Sequence, residues 1–307
     1  MDGKVAVVTG GSRGIGRRVV ERFLDEGASV VFSGRDGATG ERTRKELDAG
    51  DRVVFAQGDV TLRQDAERMV DAAVEHYGRL DVLVNNAGGM PGFGLVADTD
   101  DAVWHDTLAV NLHAVFYVTR RALAHLAPQK SGRIITISSI SGKQGDPGLG
   151  AYATAKHAVI GLTKVVAREV GPLGITANCI CPGLVMTDLI RDRGPVAAQV
   201  LGVTYDQLVG AFAAKAATGR ATTVDEVAAM AVLLSSEAGA GITGAALAVD
   251  GGVTPGRRAA GPPGPARPPA PPARDRPSRA GTRPRAGPPA RWTASALGCP
   301  CAKTPVR

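Results

Sequence analysis

The sequence predicts a doubly wound α/β fold, in which helices cover both faces of a parallel sheet. Short apolar runs recur along residues 1–254 with helical patterns between them, as expected for βαβ units. A glycine-rich turn follows the first of these runs and opens the first helical stretch. The composition then changes abruptly after residue 254. We therefore expect one domain over residues 1–254 and a tail over residues 255–307.

Seven apolar runs have the length and composition of strands that are buried on both faces of a sheet. They are residues 5–9, 29–33, 52–57, 82–85, 133–138, 176–181 and 246–249. Apolar periodicity predicts helices near residues 15–27, 38–49, 63–77, 101–126, 151–171 and 223–234. Residues 186–221 lack a clear pattern. We expect a long, weakly structured loop there, of the kind that often covers a substrate.

The tail differs from the domain in its chemistry. It holds fourteen of the chain's 20 prolines and eleven basic residues against one acid, Asp275, so the chain's formal net charge of +7 arises there. Such a segment cannot bury enough apolar surface to offset its ordering entropy, and we expect disorder with polyproline II character. A basic tail could bind nucleic acid, but Trp292 is its single aromatic residue and offers little stacking. Nucleic-acid binding is therefore not expected.

The spacing of the cysteines and the hydropathy of the chain bear on metal binding and on the cellular compartment. Cys179 with Cys181 and Cys299 with Cys301 form C-x-C pairs, which lack the usual zinc-site spacing. No metal site is expected, and the first pair suits reduced, buried thiols. No apolar run approaches the ~20 residues that a membrane helix needs, and the chain enters its first strand without a leader. We expect a cytoplasmic protein without membrane contact.

The glycine-rich turn, TGGSRGIG at residues 9–16, is the first candidate binding motif. Glycines allow a tight turn and let a pyrophosphate approach backbone N–H groups at a helix N-terminus. The spacing is G-x-x-x-G-x-G, which differs from the G-x-G-x-x-G of ordinary dinucleotide folds. The turn predicts dinucleotide contacts from Gly10, Ser12, Arg13, Gly14, Ile15 and Gly16.

The end of the second strand indicates which dinucleotide binds. A cofactor without a 2′-phosphate usually meets an acid there, which accepts a hydrogen bond from the ribose. This chain has Ser33-Gly34-Arg35 instead, and Arg35 together with Arg13 could clamp a 2′-phosphate. The pattern favours NADP(H) over NAD(H). Asp36 is the alternative, because a small shift in register would place its carboxylate on the ribose.

Two later strand ends fit the same cofactor. Asp59 and Val60 follow the third strand and could contact the adenine. The sequence NNAG at residues 85–88 follows the fourth strand, where small residues let the chain pass close to the ribose and nicotinamide. Cofactor contacts are expected there from Asn86, Ala87 and Gly88.

A serine, a tyrosine and a lysine form the candidate catalytic group. Tyr152 and Lys156 lie four residues apart in a helical pattern, so they share a face. A free tyrosine has a pKa near ~10. A nearby ammonium and the positive nicotinamide of an oxidised cofactor would lower that pKa. Ser139, thirteen residues upstream after the fifth strand, could hold the substrate oxygen beside Tyr152, and Ser138 is its adjacent competitor.

Taken together, residues 1–254 resemble the short-chain dehydrogenase/reductase family. The matching positions are residues 9–16, Asp59, residues 85–88, Asn111, Ser139, Tyr152, Lys156, the Pro182-Gly183 turn with Val185 and Thr187, and residues 250–252. The resemblance implies that Asn111, in the helix before the fifth strand, completes a tetrad by positioning a water that links Lys156 to solvent. It also implies cofactor contacts from Tyr152, Lys156, Pro182, Gly183, Val185 and Thr187. A homotetramer, built on the helices that carry Asn111 and Tyr152, is implied as well.

Within the family, the segments NNAGGMPGFG and SGKQG, with Trp104, are similar to ketoreductases of bacterial aromatic polyketide pathways. Similarity to 3-oxoacyl-carrier-protein reductases is almost as good. The implied activity is the NADPH-dependent reduction of a ketone to a secondary alcohol, with a small carbonyl substrate that is free or bound to a carrier protein. The alternatives are an alcohol dehydrogenase that uses the same site in reverse and a non-catalytic nucleotide-binding protein.

The composition of the tail generates the first test. Truncation after Thr254 should change neither Tm nor kcat/KM, because residues 255–307 have no apolar periodicity that could dock on the domain. Thermal unfolding, steady-state kinetics and gel filtration of the full and truncated chains measure this. Loss of activity, or a fall to a smaller oligomer after truncation, would show that the tail is structural.

Overall fold

The computed structural model describes residues 1–200 and 202–254. The predicted disorder of residues 255–307 lies outside the described residues. Within the described part of the chain, no helix is long and apolar enough to cross a membrane.

Seven parallel strands form one sheet in the order β3-β2-β1-β4-β5-β6-β7. Each strand agrees with a predicted apolar run to within one or two residues at either end. The predicted doubly wound α/β fold is therefore confirmed. The strands are β1 (Val5–Val8), β2 (Ser29–Gly34), β3 (Val53–Gln57), β4 (Val82–Asn85), β5 (Gly132–Ile137), β6 (Ile175–Pro182) and β7 (Ala246–Val249).

The helices connect successive strands and cover both faces of the sheet, and five of the six predicted helices appear as single elements. They are α1 (Gly14–Asp25), α2 (Gly37–Leu47), α3 (Arg63–Tyr77), α4 (Asp101–Leu108), α5 (Ala114–Gln129), α6 (Gly150–Val170), α7 (Asp188–Val200), α8 (Tyr205–Lys215) and α9 (Val224–Ser235).

Two apolar layers hold the helices on the sheet. In β1 every residue is buried, because successive side chains point to opposite, covered faces. Ala6 and Val8 pack in the layer that contains Phe23 of α1. Val5 and Val7 pack in the opposite layer, with residues of α3, α5 and α6. The polar ends of the strands are thereby left at the edges of the sheet, where a site can form.

The predicted helix at residues 101–126 is interrupted. Between α4 and α5 the chain makes a π turn over Ala109–His113, with Asn111 buried at its centre. Such single π turns occur often at functional sites, because the extra residue in the turn re-aims neighbouring groups. Apolar periodicity cannot reveal this turn, since the helical pattern continues on both sides.

The expectation of a weakly structured loop over residues 186–221 is wrong. The segment contains α7 and α8, and α8 starts with a capping box in which Thr204 and Gln207 exchange side-chain and backbone hydrogen bonds. These helices are hard to predict from the sequence because glycine and proline normally interrupt a helical pattern, and the segment contains Gly194, Pro195 and Gly202. α8 also has no buried residue, so it lacks the apolar stripe by which helices are usually predicted.

The order of the strands places a crevice above β1 and β4. The chain leaves β1 toward β2 on one side, while β4 lies on the other side of β1. The connections on the two sides therefore diverge, and a crevice opens at the carboxyl ends of the two strands. Ligands of open α/β sheets bind at such a switch point.

Candidate active site

A cleft of about 1150 Å³ lies at the carboxyl ends of the strands. All residues that the sequence patterns and the family resemblance assign to the cofactor or to catalysis line it, so residues far apart in the sequence meet there. They are Gly10, Ser12, Arg13, Gly14, Ile15, Gly16, Arg35, Asp59, Val60, Asn86, Ala87, Gly88, Asn111, Ser139, Tyr152, Lys156, Pro182, Gly183, Val185 and Thr187.

The glycine-rich turn is tied to the end of β4. The Thr9 hydroxyl accepts hydrogen bonds from the backbone N–H groups of Asn86 and Ala87, both at 3.0 Å. The Asn86 amide in turn donates to the carbonyls of Thr9 (2.9 Å) and Gly10 (3.0 Å). A Cβ on Gly16 would collide with the Gly10 carbonyl, so the turn needs glycine there. The side chain of Asn86 thus holds the turn in place.

The end of β2 is crowded at Gly34, where the sequence lacks an acid. A Cβ on Gly34 would stand 2.6 Å from the hydroxyl oxygen of Ser12. Asp36 lines the cleft, but its carboxylate accepts a hydrogen bond of 2.6 Å from the backbone N–H of Thr39 and caps α2. Hydrogen bonding by Thr39 also holds the pKa of Asp36 below its usual value. The alternative of Asp36 as a ribose contact therefore competes with its capping role.

Asp59 forms hydrogen bonds within the loop after β3 that could not be predicted from the sequence. One carboxylate oxygen accepts hydrogen bonds from the backbone N–H (2.9 Å) and the hydroxyl (2.8 Å) of Thr61. The backbone N–H of Asp59 donates to the carboxylate of Asp65 at 2.8 Å. These bonds fix the loop after β3 as a wall of the cleft.

Tyr152 and Lys156 lie one turn apart in α6. Lys156 is buried, and its Nζ donates to the carbonyl oxygen of Ile137 at 2.9 Å. The same nitrogen stands 5.6 Å from the centre of the Tyr152 ring. The predicted pairing of the two side chains on one helix face is therefore present in the structure, with the ammonium anchored to the end of β5.

Burial shifts the pKa of both groups. It lowers the pKa of Lys156 from 10.5 to about 8. Burial also raises the pKa of Tyr152, and the neighbouring Ser139 hydroxyl lowers it by less. In the chain by itself, desolvation outweighs the hydrogen bond between Ser139 and the phenol. That Lys156 and an oxidised nicotinamide together make the phenol more acidic stays a prediction.

The two candidate serines have different surroundings. Ser139 lines the cleft beside Tyr152, and its oxygen accepts a hydrogen bond of 3.1 Å from the backbone N–H of Ser141. Ser138 is buried, and its hydroxyl donates to the backbone carbonyl of Lys156 at 3.0 Å. Ser139 is thus the serine placed next to the Tyr152 hydroxyl, while Ser138 is bonded to the backbone of α6.

Asn111 is fully buried in the π turn. Its amide nitrogen donates to the carbonyls of Thr107 (2.9 Å) and Gly89 (2.8 Å), and its amide oxygen accepts from the N–H of Gly89 at 3.2 Å. The side chain therefore secures the loop after β4 at the inner end of the cleft. Its suggested role in holding a water near Lys156 stays a prediction.

Some residues that line the cleft were not predicted from the sequence. Two groups of them lie in features that apolar periodicity did not predict. The π turn contributes Ala109 and Val110, and α7 contributes Asp188, Ile190, Asp192 and Arg193.

The family profile described as short chain dehydrogenase matches residues 4–196, well over half of the chain. The chain belongs to the short-chain dehydrogenase family. The resemblance inferred from its motifs is thereby confirmed, together with its assignment as an oxidoreductase.

Several relatives in this family are similar over the whole domain. The 3beta-hydroxysteroid dehydrogenase 2 of Eggerthella lenta is 38% identical over 257 residues, covering 81% of this chain and 94% of the relative. The D-beta-hydroxybutyrate dehydrogenase of Cupriavidus necator is 35% identical over 254 residues, covering 82% and 98%. The solved structure of a single-residue variant of actinorhodin polyketide ketoreductase with NADPH is 36% identical, with a TM-score of 0.78, and covers 81% of this chain and 97% of that chain.

The hydrogen bonds from Asn86 to the glycine-rich turn can be tested through their contribution to stability. Asn86→Ala should lower the free energy of unfolding by about 1–3 kcal/mol, because two carbonyl acceptors lose their donor. Asn86→Asp should cost at least as much, since it places a carboxylate against the same carbonyls. Chemical unfolding measures both. Wild-type stability in Asn86→Asp would contradict the assignment of this side chain.

Proposed function

We propose that this chain is an NADP(H)-dependent ketoreductase that converts a ketone to a secondary alcohol. The observation that carries the proposal is the meeting of Ser139, Tyr152 and Lys156 in the same cleft as the glycine-rich turn. A dinucleotide held by that turn would share the cleft with these three groups. The solved relative that contains NADPH is named a ketoreductase, which supports the same activity.

Two features of the cleft suit NADP(H). The Ser12 hydroxyl in the glycine-rich turn is buried and has no hydrogen-bond partner among the described residues, so it can donate to a phosphate. Arg13 and Arg35 both line the cleft. At Gly34, the acid that selects NAD(H) would have to displace the Ser12 hydroxyl. Two guanidinium groups can form charge-assisted hydrogen bonds with a 2′-phosphate.

The protonation states of Tyr152 and Lys156 are compatible with ketone reduction. When bound, NADPH supplies the hydride. Ser139 orients the carbonyl oxygen of the substrate, and Tyr152 donates a proton to it. A raised pKa keeps the Tyr152 phenol protonated at neutral pH, as a proton donor must be. Lys156, with a pKa of about 8, is largely an ammonium at pH 7 and can stabilise the phenolate that forms.

An alcohol dehydrogenase is the second candidate function. The names of the Eggerthella lenta and Cupriavidus necator relatives favour it. It would use the same residues, with Tyr152 as base, so the Tyr152 phenol would have to lose its proton once an oxidised cofactor is bound. A comparison of initial rates in both directions at pH 7 distinguishes the two. The homotetramer, a carrier-protein-bound substrate and the cytoplasmic location stay predictions.

The role of Tyr152 gives a direct test of the chemistry. Tyr152→Phe removes one oxygen, so it should leave the fold and NADPH binding intact while kcat falls by roughly 10²–10⁴. Tyr77→Phe is the matched control, because the same oxygen is removed from a hydroxyl that is bonded to Asp51 outside the cleft. Near-normal turnover by Tyr152→Phe would rule out the proposed mechanism.

Cofactor preference gives a second test. Arg35→Asp should weaken NADPH binding and favour NADH, because a charge-assisted hydrogen bond is worth ~1.5–3 kcal/mol. The ratio of kcat/KM for the two cofactors should therefore change by about tenfold or more. Arg44→Asp is the control, since Arg44 lies on α2 and pairs with Glu41. A wild-type enzyme that prefers NADH by the same margin would contradict the assignment.

A further inference from the structure

The end of β5 contacts α6 at three successive residues. The carbonyl of Ile137 accepts a hydrogen bond from Lys156 Nζ at 2.9 Å. The hydroxyl of Ser138 donates to the carbonyl of Lys156 at 3.0 Å. Ser139 stands beside the Tyr152 hydroxyl. The outer two contacts involve the proposed catalytic groups themselves, whereas the middle contact joins a side chain to the helix backbone.

The contact made by Ser138 is closely packed by β6 and by Gly142. Ser138 is 3% exposed, and its backbone N–H donates to the carbonyl of Ile180 in β6 at 2.8 Å. A Cβ on Gly142 would lie 2.6 Å from the Ser138 oxygen and 2.7 Å from the Lys156 carbonyl oxygen. The backbone at Gly142 therefore packs closely over this hydrogen bond and excludes larger groups from it.

We propose that Ser138 is a positioning residue, which fixes the turn of α6 between Tyr152 and Lys156 at the distance from Ser139 that proton transfer needs. The inference rests on the proposed function, since it assigns Ser138 a part in the same reaction. Ser138 also lines the cleft, but its hydroxyl is bonded to the helix backbone. It acts through the backbone of Lys156, at the point where one strand end supplies Ser139 and the facing helix supplies the other two groups.

The position of this hydrogen bond explains why its removal should slow the reaction. The carbonyl of Lys156 is in the interior of α6, where helix bonding alone would satisfy it. The additional bond from Ser138 is therefore not needed to form the helix, and its effect is to restrict how α6 slides on the end of β5. A displacement of about 1 Å between reacting groups can cost a hundredfold in rate.

Ser138→Ala tests the proposal, with Ser141→Ala as its matched control. Both serines are buried in the same segment, at 3% and 5% exposure, but only Ser138 is bonded to Lys156. Ser138→Ala should lower kcat by about tenfold to a hundredfold with little change in the Kd for NADPH. The pKa in its pH–rate profile should also shift by about half a unit or more, because the positions of Tyr152 and Lys156 relative to Ser139 change. Ser141→Ala should show neither change.

Gly142→Ala disturbs the same hydrogen bond from the opposite side. It should reproduce the loss of kcat and the shifted pH profile, whereas Gly145→Ala should not, since a Cβ there meets nothing within 4 Å. The proposal is overturned if Ser138→Ala and Gly142→Ala keep the kcat and pH profile of the wild type. It is also overturned if their activity falls only in proportion to the loss of folded protein.

Amide hydrogen exchange supplies a measurement that does not depend on turnover. Peptides covering the first half of α6 should exchange faster in Ser138→Ala than in the wild type or Ser141→Ala. Equal exchange in the three proteins would contradict the positioning role. A wild-type chain that binds NADPH but reduces no ketone would contradict the proposed function alone, and the exchange comparison would still decide whether Ser138 holds α6.

Discussion

The covering of both sheet faces by helices is the constraint on which the rest of this structure depends. With β1, β2, β4, β5 and β6 buried almost throughout, a ligand cannot reach the faces of the sheet. All strands run parallel, so their carboxyl ends and the polar residues that follow them share one edge. Residues from Gly10 to Thr187 thereby meet in a single cleft.

Hydrogen bonds at that edge hold the loops that follow the strands in fixed positions and so form a rigid site. Thr9 and Asn86 tie the turn after β1 to the end of β4. Asn111 secures the next stretch through Gly89. Ile137 and Ser138 hold α6 on the end of β5. Each of these bonds has a backbone group as one partner, so the loops are positioned by the strands from which they emerge.

Much of this arrangement could be predicted from the sequence, because short-range patterns encode it. Buried strands appear as apolar runs, and the glycine-rich turn and the Tyr152–Lys156 spacing have local physical causes. The π turn at Asn111, the helices α7 and α8, and the bonding of Asn86 could not be predicted in the same way. These features depend on tertiary contacts, or lie in helices that contain glycine and proline. The raised pKa of Tyr152 could not be predicted either, because it follows from burial, and the spacing of residues along a helix does not indicate how deeply a side chain is buried.

The transfer of deuterium from NADPH labelled at C4 of the nicotinamide tests the proposed ketone reduction most directly. The full-length chain would be incubated with doubly deuterated NADPH and a panel of cyclic and open-chain ketones, and the products analysed by mass spectrometry. We expect an alcohol that carries one deuterium on the former carbonyl carbon and a hydroxyl hydrogen from solvent. Binding of NADPH without deuterium in any product would contradict the proposed reduction.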